Sequence, residues 1–517
     1  MKIFKNRASS KFIRNFAAMS LAVGLTASCD NFTENINVDP NSVSEVPTSY
    51  LLTSAQSNLA FNIMDIAGYD VFGSIYSQQM ANNTYTGLDR YDGDQSSFIG
   101  FYSGGLYNLT EVIRLNTDEA TKEAAAASGD NNNQIAIAKI LRAWTFMTVT
   151  DTWGDAPYSE ALQGTDNYQP KYDAQLEIYQ GIIAELKEAA ASITSGLNPV
   201  VGDRIYDGDM ASWKKFAGSL LLRAGMRFSN VNPSLAQETI NAGLAIGVIE
   251  SNAENASFKY GGDASSASPW YNEFNIAPFR IDYSLSHTMV NFLGDRNDPR
   301  LPVFGKPIRN ISSRDDDSDD FWLKYKPYVV DGNTYAGQPY GYLEATAQLI
   351  AAEETSLIGD YFTEDIELPS IIISYSEVLF LMAEAKERFG IGSGSAEDYY
   401  NAAIEASWQQ FGISTAGLDT YLAQPSVAYN STMFAKSIGE QKWVAMFGQG
   451  LNSWAEWRRL GYPQLQRAPD AAGDEEIPRR RAYTQSEFDL NETNVNAAIS
   501  RMGGNELSTK TTWDGGN

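Results

Sequence analysis

Apolar side chains recur every three or four positions through much of this chain, and almost nowhere do they alternate strictly. In residues 175–193, Leu176, Tyr179, Ile183, Leu186, Ala190 and Ile193 fall on one helical stripe, with Asp173 placed to cap its start. Ile137, Ile140, Leu141, Trp144 and Thr148 repeat the pattern ahead of a turn at Trp153-Gly154-Asp155. Trp213, Phe216, Ala217, Leu220, Leu221 and Ala224 form a third stripe, which ends in the basic Arg227. Val378, Leu381, Met382, Ala385 and Phe389 form a fourth, closed by Gly390 as a C-cap residue. Trp443, Phe447, Leu451 and Trp454 predict a fifth helix. The pattern predicts a mainly α fold with few short strands. Small residues on the stripes, such as Ala383 and Ala385, let helices approach closely and suggest tetratricopeptide-like helix pairs, although no clean repeat of about 34 residues stands out.

The chain of 517 residues has one cysteine and one histidine. No intrachain disulfide can form, so folding rests on burial. Serine–histidine catalysis is confined to the neighbourhood of His287, and multi-histidine or cysteine-based metal centres are excluded. His287 lies in a helix-like stretch and reads as a structural residue. The cysteine, Cys29, sits where a hydrophobic segment stops. Five basic residues (Lys2, Lys5, Arg7, Lys11, Arg14) precede the apolar run 16–27, which is too short to span a bilayer. This is the grammar of a secretory signal peptide, residues 1–28, and a cysteine directly after Ala27 and Ser28 is the acceptor for a bacterial lipid anchor such as palmitate. Thr26 departs from the leucine preferred in such sites. Removing residues 1–28 takes five positive charges and shifts the formal net charge from −26 to −31. So acidic a chain is repelled by nucleic acid and anionic membrane surfaces, which leaves the lipid as its hold on a membrane. Residues 29–48 are polar and turn-rich and read as a tether; residues 49–517 read as the folded body.

Two tracts lack helical periodicity, residues 251–343 and 463–491. The first is rich in aromatics, which argues against disorder, and irregular tracts of this length in compact proteins are usually functional. Flat Trp and Tyr faces pack against the C–H faces of sugar rings while amides, carboxylates and guanidinium groups meet the hydroxyls. Three places have this mixture: Asn82-Asn83-Thr84-Tyr85-Thr86-Gly87-Leu88-Asp89-Arg90-Tyr91, Trp270-Tyr271-Asn272 and Phe321-Trp322. Tyr85, Arg90, Tyr91, Trp270, Tyr271 and Trp322 are therefore the candidate ligand-contact residues. The acidic run Asp315-Asp316-Asp317-Ser318-Asp319-Asp320 fails as a calcium loop, because Asp320 and Lys326 stand where an EF-hand needs Gly and Glu. No nucleophile elbow, phosphate-binding loop or dinucleotide fingerprint occurs, so no catalytic residue, cofactor or metal is expected.

A set of short motifs runs in order along the chain. It begins at Asn37-Val38-Asp39-Pro40-Asn41 and Leu51-Leu52-Thr53-Ser54-Ala55, and continues through Asp151-Thr152-Trp153-Gly154-Asp155-Ala156-Pro157-Tyr158 and Tyr206-Asp207-Gly208-Asp209. Asn297-Asp298-Pro299-Arg300-Leu301, Tyr375-Ser376-Glu377 with Glu384, and Gly450-Leu451-Asn452-Ser453-Trp454-Ala455-Glu456-Trp457-Arg458-Arg459 follow, then Ile477-Pro478-Arg479-Arg480-Arg481 and Trp513-Asp514. In these the chain resembles the SusD/RagB-like nutrient-binding lipoproteins, near the SusD-like 2 branch. The resemblance implies helix pairs supporting a loop-rich, ligand-facing region. It also implies a non-enzymatic outer-membrane protein, facing the cell exterior, that captures oligosaccharides or other nutrients for a SusC-like TonB-dependent β-barrel. The shared motifs look architectural. A lipid-anchored glycoside hydrolase and a helical-repeat scaffold without a small ligand are the alternative readings at this stage.

Overall fold

The helices begin and end where local chemistry satisfies their free backbone groups. The computed structural model describes residues 46–64, 68–92, 97–276, 280–312, 320–473 and 475–516. The principal helices are α1 (Thr48–Met64), α2 (Asp70–Tyr76), α3 (Tyr107–Thr117), α4 (Asn131–Trp153), α5 (Gln175–Ser192), α6 (Met210–Arg227), α7 (Pro233–Ile246), α8 (His287–Asp295), α9 (Tyr375–Phe389), α10 (Ala396–Gln410), α11 (Phe434–Ala445), α12 (Gly450–Leu460) and α13 (Gln485–Met502). Asp130 caps α4 by accepting from Asn133 N at 3.0 Å, and Gly154 ends it at φ +87°. Ser374 caps α9 through Glu377 N at 3.1 Å, and Gly390 closes it at φ +71°. At α5 the cap differs from expectation. Ala174 holds that position, and Asp173 instead accepts from Tyr158 N (3.1 Å) and Ser159 N (2.7 Å) across a short strand pair. The stripe through Trp443 and Trp454 is also two helices, α11 and α12, because Gly448 takes φ +84° between them.

Consecutive helices pack as pairs, α4 with α5, α6 with α7 and α9 with α10. The α6–α7 pair is unusually close, since a Cβ at Gly218 would stand 1.9 Å from Gly247 O and one at Gly243 would stand 2.5 Å from Gly218 O. At the crossing of α2 with α12, a Cβ at Gly73 would lie 2.1 Å from the carbonyl carbon of Gly450. Among the described residues, four two-stranded sheets complete the body: β1 (Met80–Asn82) with β5 (Tyr283–Leu285), β2 (Ala156–Pro157) with β3 (Tyr172–Asp173), β4 (Ala256–Phe258) with β8 (Ser370–Ile373), and the hairpin β6 (Tyr328–Val330)–β7 (Asn333–Tyr335). All pair antiparallel. The described residues of the tract 251–343, expected to be irregular, thus form short strands and helices; β4 and β5 pair with strands far off in sequence, while β6 and β7 form a local hairpin.

Many of the ordered sequence motifs meet in the interior as one charged network. Arg223 pairs with Glu377 at 2.8 Å, and Arg227 bridges Asp151 at 2.8 Å and Glu456. Arg459 reaches Glu384 at 2.5 Å and Glu456 Oε2 at 2.6 Å, and Lys442 meets the same Glu456 oxygen at 2.8 Å. Asp151 also accepts from Tyr179 Oη (2.5 Å) and Trp513 Nε1 (2.8 Å). Arg458 lies over Trp454 at 3.9 Å and Trp513 at 4.8 Å. Burial raises the Glu384 carboxyl, but the Arg459 guanidinium outweighs it and holds the group down at about 2. These residues tie α4, α5, α6, α9, α11, α12 and the C-terminal segment together, which is an architectural role.

Candidate functional site

The loop after β1 closes on itself through Asp89. Its carboxylate accepts from Asn82 N at 2.9 Å and Asn82 Nδ2 at 2.6 Å. Burial pushes Asp89 up to about 7 against the pull of these hydrogen bonds. The loop leaves Tyr85 at φ +59° with 70% of its surface exposed. A ring held out in this way presents a flat apolar face to solvent.

Arg90 is largely covered. Nη2 stands 3.4 Å from Asp92 and Nη1 3.4 Å from Asp470 O, while the buried Nε makes no hydrogen bond. Tyr91 turns the other way. It is a core residue, 2% exposed, packed edge-on against Tyr76, and its hydroxyl accepts from Ala468 N at 3.0 Å. Its expected ligand contact is corrected: the ring is held in the core by its packing on Tyr76 and the hydrogen bond from Ala468 N.

The pairing of β1 with β5 brings a second segment beside Tyr85. Asn83 N donates to Asp282 O at 3.1 Å, and Asn83 Nδ2 to Ile281 O at 3.4 Å. Ile281 is 64% exposed. Arg280 is bound to Glu273 (2.7 Å) and Asp282 (3.0 Å) and lies over the Tyr283 ring at 5.2 Å. Sequence reasoning passed over Arg280, Ile281 and Asp282, because the pairing that places them beside Tyr85 spans some two hundred positions and leaves no local periodicity.

A third segment joins through Asp470, which donates from its N to Gly341 O (3.0 Å) and accepts from Leu343 N through Oδ2 (2.8 Å). Beyond it, Tyr342 packs against Phe321 at 5.1 Å, and Phe321 against the half-buried Trp322 at 5.1 Å. Lys324 Nζ meets Tyr342 Oη at 2.9 Å. His287 Nδ1 accepts from Tyr340 N at 3.2 Å; desolvation first and the Lys324 charge second push it down to about 3, so it serves there as a neutral acceptor. Of the acidic run only Asp320 is described, and among the described residues no cluster of three or more His, Cys, Asp or Glu could hold a metal.

Trp270 does not join this face. It is 4% exposed, parallel to Phe274 at 6.3 Å and in contact with Phe362 at 5.0 Å and Phe447 at 6.3 Å. Its apolar run of neighbours makes it a core residue, and its expected ligand contact is corrected accordingly. Trp270→Ala is expected to cost about 3–5 kcal/mol of stability, read as a fall in the thermal midpoint. An unchanged midpoint would contradict the burial. Tyr271, next in sequence, is half-buried.

Cys29, the signal segment and nearly all of the tether lie outside the described residues. Among the described residues no helix is long and apolar enough to cross a membrane.

Helix pairs carrying a loop-built face, from which the Tyr85 ring stands out to solvent, define a helical-scaffold protein. The chain belongs to the SusD-like_2 family, described as starch-binding associating with outer membrane, whose profile matches residues 40–484. No protein with a curated description matches. Among solved structures, a chitin-binding protein is 27% identical with a TM-score of 0.74, covering 90% of this chain and 99% of its own. A SusD homolog from Bacteroides fragilis NCTC 9343 is 26% identical with a TM-score of 0.72, covering 91% and 99%. A chitin-binding SusD homolog from Flavobacterium johnsoniae shares the fold at 22% identity and a TM-score of 0.68, covering 90% and 98%.

Proposed function

We propose that the protein is a cell-surface lipoprotein of the outer membrane. In this reading it is anchored through Cys29, captures an oligosaccharide on the loop face and delivers it to a SusC-like TonB-dependent transporter. The observation that carries the reading is the exposed Tyr85 ring, flanked by Asn83, Ile281 and Asp282, in a chain of a starch-binding family. Tyr85 stacks on a sugar ring. The guanidinium Nη atoms of the partly covered Arg90 meet hydroxyls, and the half-buried Tyr271 and Trp322 extend the surface. The chitin-binding relative supports a glycan over other nutrients. The protein holds glycan without cleaving it.

Calorimetry against malto- and chito-oligosaccharides tests this. Tyr85→Ala is expected to weaken binding at least about tenfold, which corresponds to about 1.4 kcal/mol, with the helical circular dichroism unchanged. Full affinity in that variant would remove Tyr85 from the site, and release of reducing sugar from polysaccharide would favour a hydrolase. Cys29→Ala is the matching test of the anchor, through loss of palmitate labelling and of membrane association.

A further inference from the structure

A groove of about 600 Å³ opens between the start of α6, the end of α10 and the β4–β8 pair. It shares no residue with the loop face. Two half-buried tyrosines, Tyr206 and Tyr361, line it. Both rings are fixed from the protein side. Tyr206 Oη donates to Glu254 O at 2.9 Å and its ring meets Trp213 edge-on at 5.6 Å. Tyr361 Oη donates to Gln410 O at 3.2 Å, and its ring meets Phe362 at 4.9 Å and Phe411 at 5.4 Å. Rings immobilised before binding lose little entropy when a ligand packs on them.

Ile205, Ala253, Pro369 and Ile371 give the lining apolar surface, and its remaining polar groups, Lys259 apart, are amides and hydroxyls. Asn255 gives its oxygen to Tyr375 N at 2.7 Å, while its Nδ2 has only a 3.5 Å contact to Gln410 Oε1 and can donate elsewhere. Asn252 Nδ2 donates to Ala406 O at 2.9 Å, but its Oδ1 has no hydrogen-bond partner. The one cation in the lining, Lys259, is neutralised by Asp207 at 2.5 Å. A site with no net charge, rigid aromatic rings and unspent amide capacity suits a neutral ligand dense in hydroxyls, and repels nothing such a ligand carries.

We propose that this groove is a second oligosaccharide site, separate from the loop face, so that one chain holds glycan at two places. The inference rests on the glycan-binding reading above. Its test is calorimetry of the full chain with maltoheptaose and chitohexaose as probes, using Tyr85→Ala to silence the loop face and Ala253→Trp to fill the groove. Ala253 lines the groove and is exposed. The expected result is residual binding in Tyr85→Ala that Ala253→Trp abolishes. Gln409→Ala, a gentler change at an exposed lining residue, is expected to weaken the residual binding at least about threefold. If Tyr85→Ala removes all binding, or if the residual binding ignores both groove variants, the groove is not a site and the loop-face reading stands. If the unaltered chain binds neither probe, both readings fall.

Discussion

Arg459→Ala is expected to destabilise the protein by about 3–5 kcal/mol, because it takes the main partner from buried Glu384 and one of three cations from buried Glu456. Arg459 contacts Glu384 at 2.5 Å and Glu456 at 2.6 Å inside a network that water does not reach. Arg388 still touches Glu384 at 2.6 Å, and Lys442 (2.8 Å) and Arg227 still touch Glu456, which limits the loss. The effect has a distinctive pH dependence. Desolvation alone would raise Glu384; Arg459 reverses that and holds it at about 2, below its ordinary 4.5. A carboxylate lowered in the folded state stabilises the fold above its unfolded value and loses that contribution as pH falls towards the folded one. The unaltered chain should therefore lose stability between about pH 4.5 and pH 2 through this group. In the variant the same carboxyl protonates readily, so the gap between the two thermal midpoints should narrow on acidification. A gap that stays constant with pH would show that Arg459 acts through packing alone.

Gly73→Ala should also lower stability sharply, although alanine is the better helix former by about 1 kcal/mol. Its methyl would sit 2.1 Å from the carbonyl carbon of Gly450, and a Cβ on Gly450 would meet Asp70 O at 2.2 Å. These neighbours are backbone atoms and cannot swing aside, so α2 and α12 must separate. The loss is expected to exceed the roughly 1–3 kcal/mol of ordinary overpacking. A rise in the thermal midpoint on Gly73→Ala would refute the close crossing.

How far the sequence could be read follows from where each signal lives. Helices α5 and α6 were legible because the stripes through Tyr179 and through Trp213 are local and 3.6-periodic. The break between α11 and α12 was not, since Trp443, Phe447, Leu451 and Trp454 keep helical spacing across Gly448, and only its φ of +84° interrupts them. The closeness of α6 and α7 is likewise a matter of which helix faces Gly218 and Gly243, and spacing says nothing of that.

The site was legible in part. The polar-aromatic mixture of residues 82–91 marked the loop that does project Tyr85. The same mixture could not separate Tyr85 from Tyr91, whose rings diverge through backbone turns, nor reveal that Trp270 has Phe362 and Phe447 as neighbours from remote segments. Short motifs such as Glu384 and Arg459 announced themselves in order along the chain, but their meeting as ion pairs required the fold.

Asp151 shows what such meetings impose on folding. It accepts from Tyr179, 28 positions on, from Arg227, 76 on, and from Trp513, 362 on. Contacts between segments so remote form late, since loop closure must precede any gain from them. The early helices must therefore hold a carboxylate whose last donor has yet to arrive. The separations therefore predict an order of assembly at this one side chain, in which hairpins α4–α5 and α6–α7 associate first and Trp513 docks over Arg227 and Arg458 last.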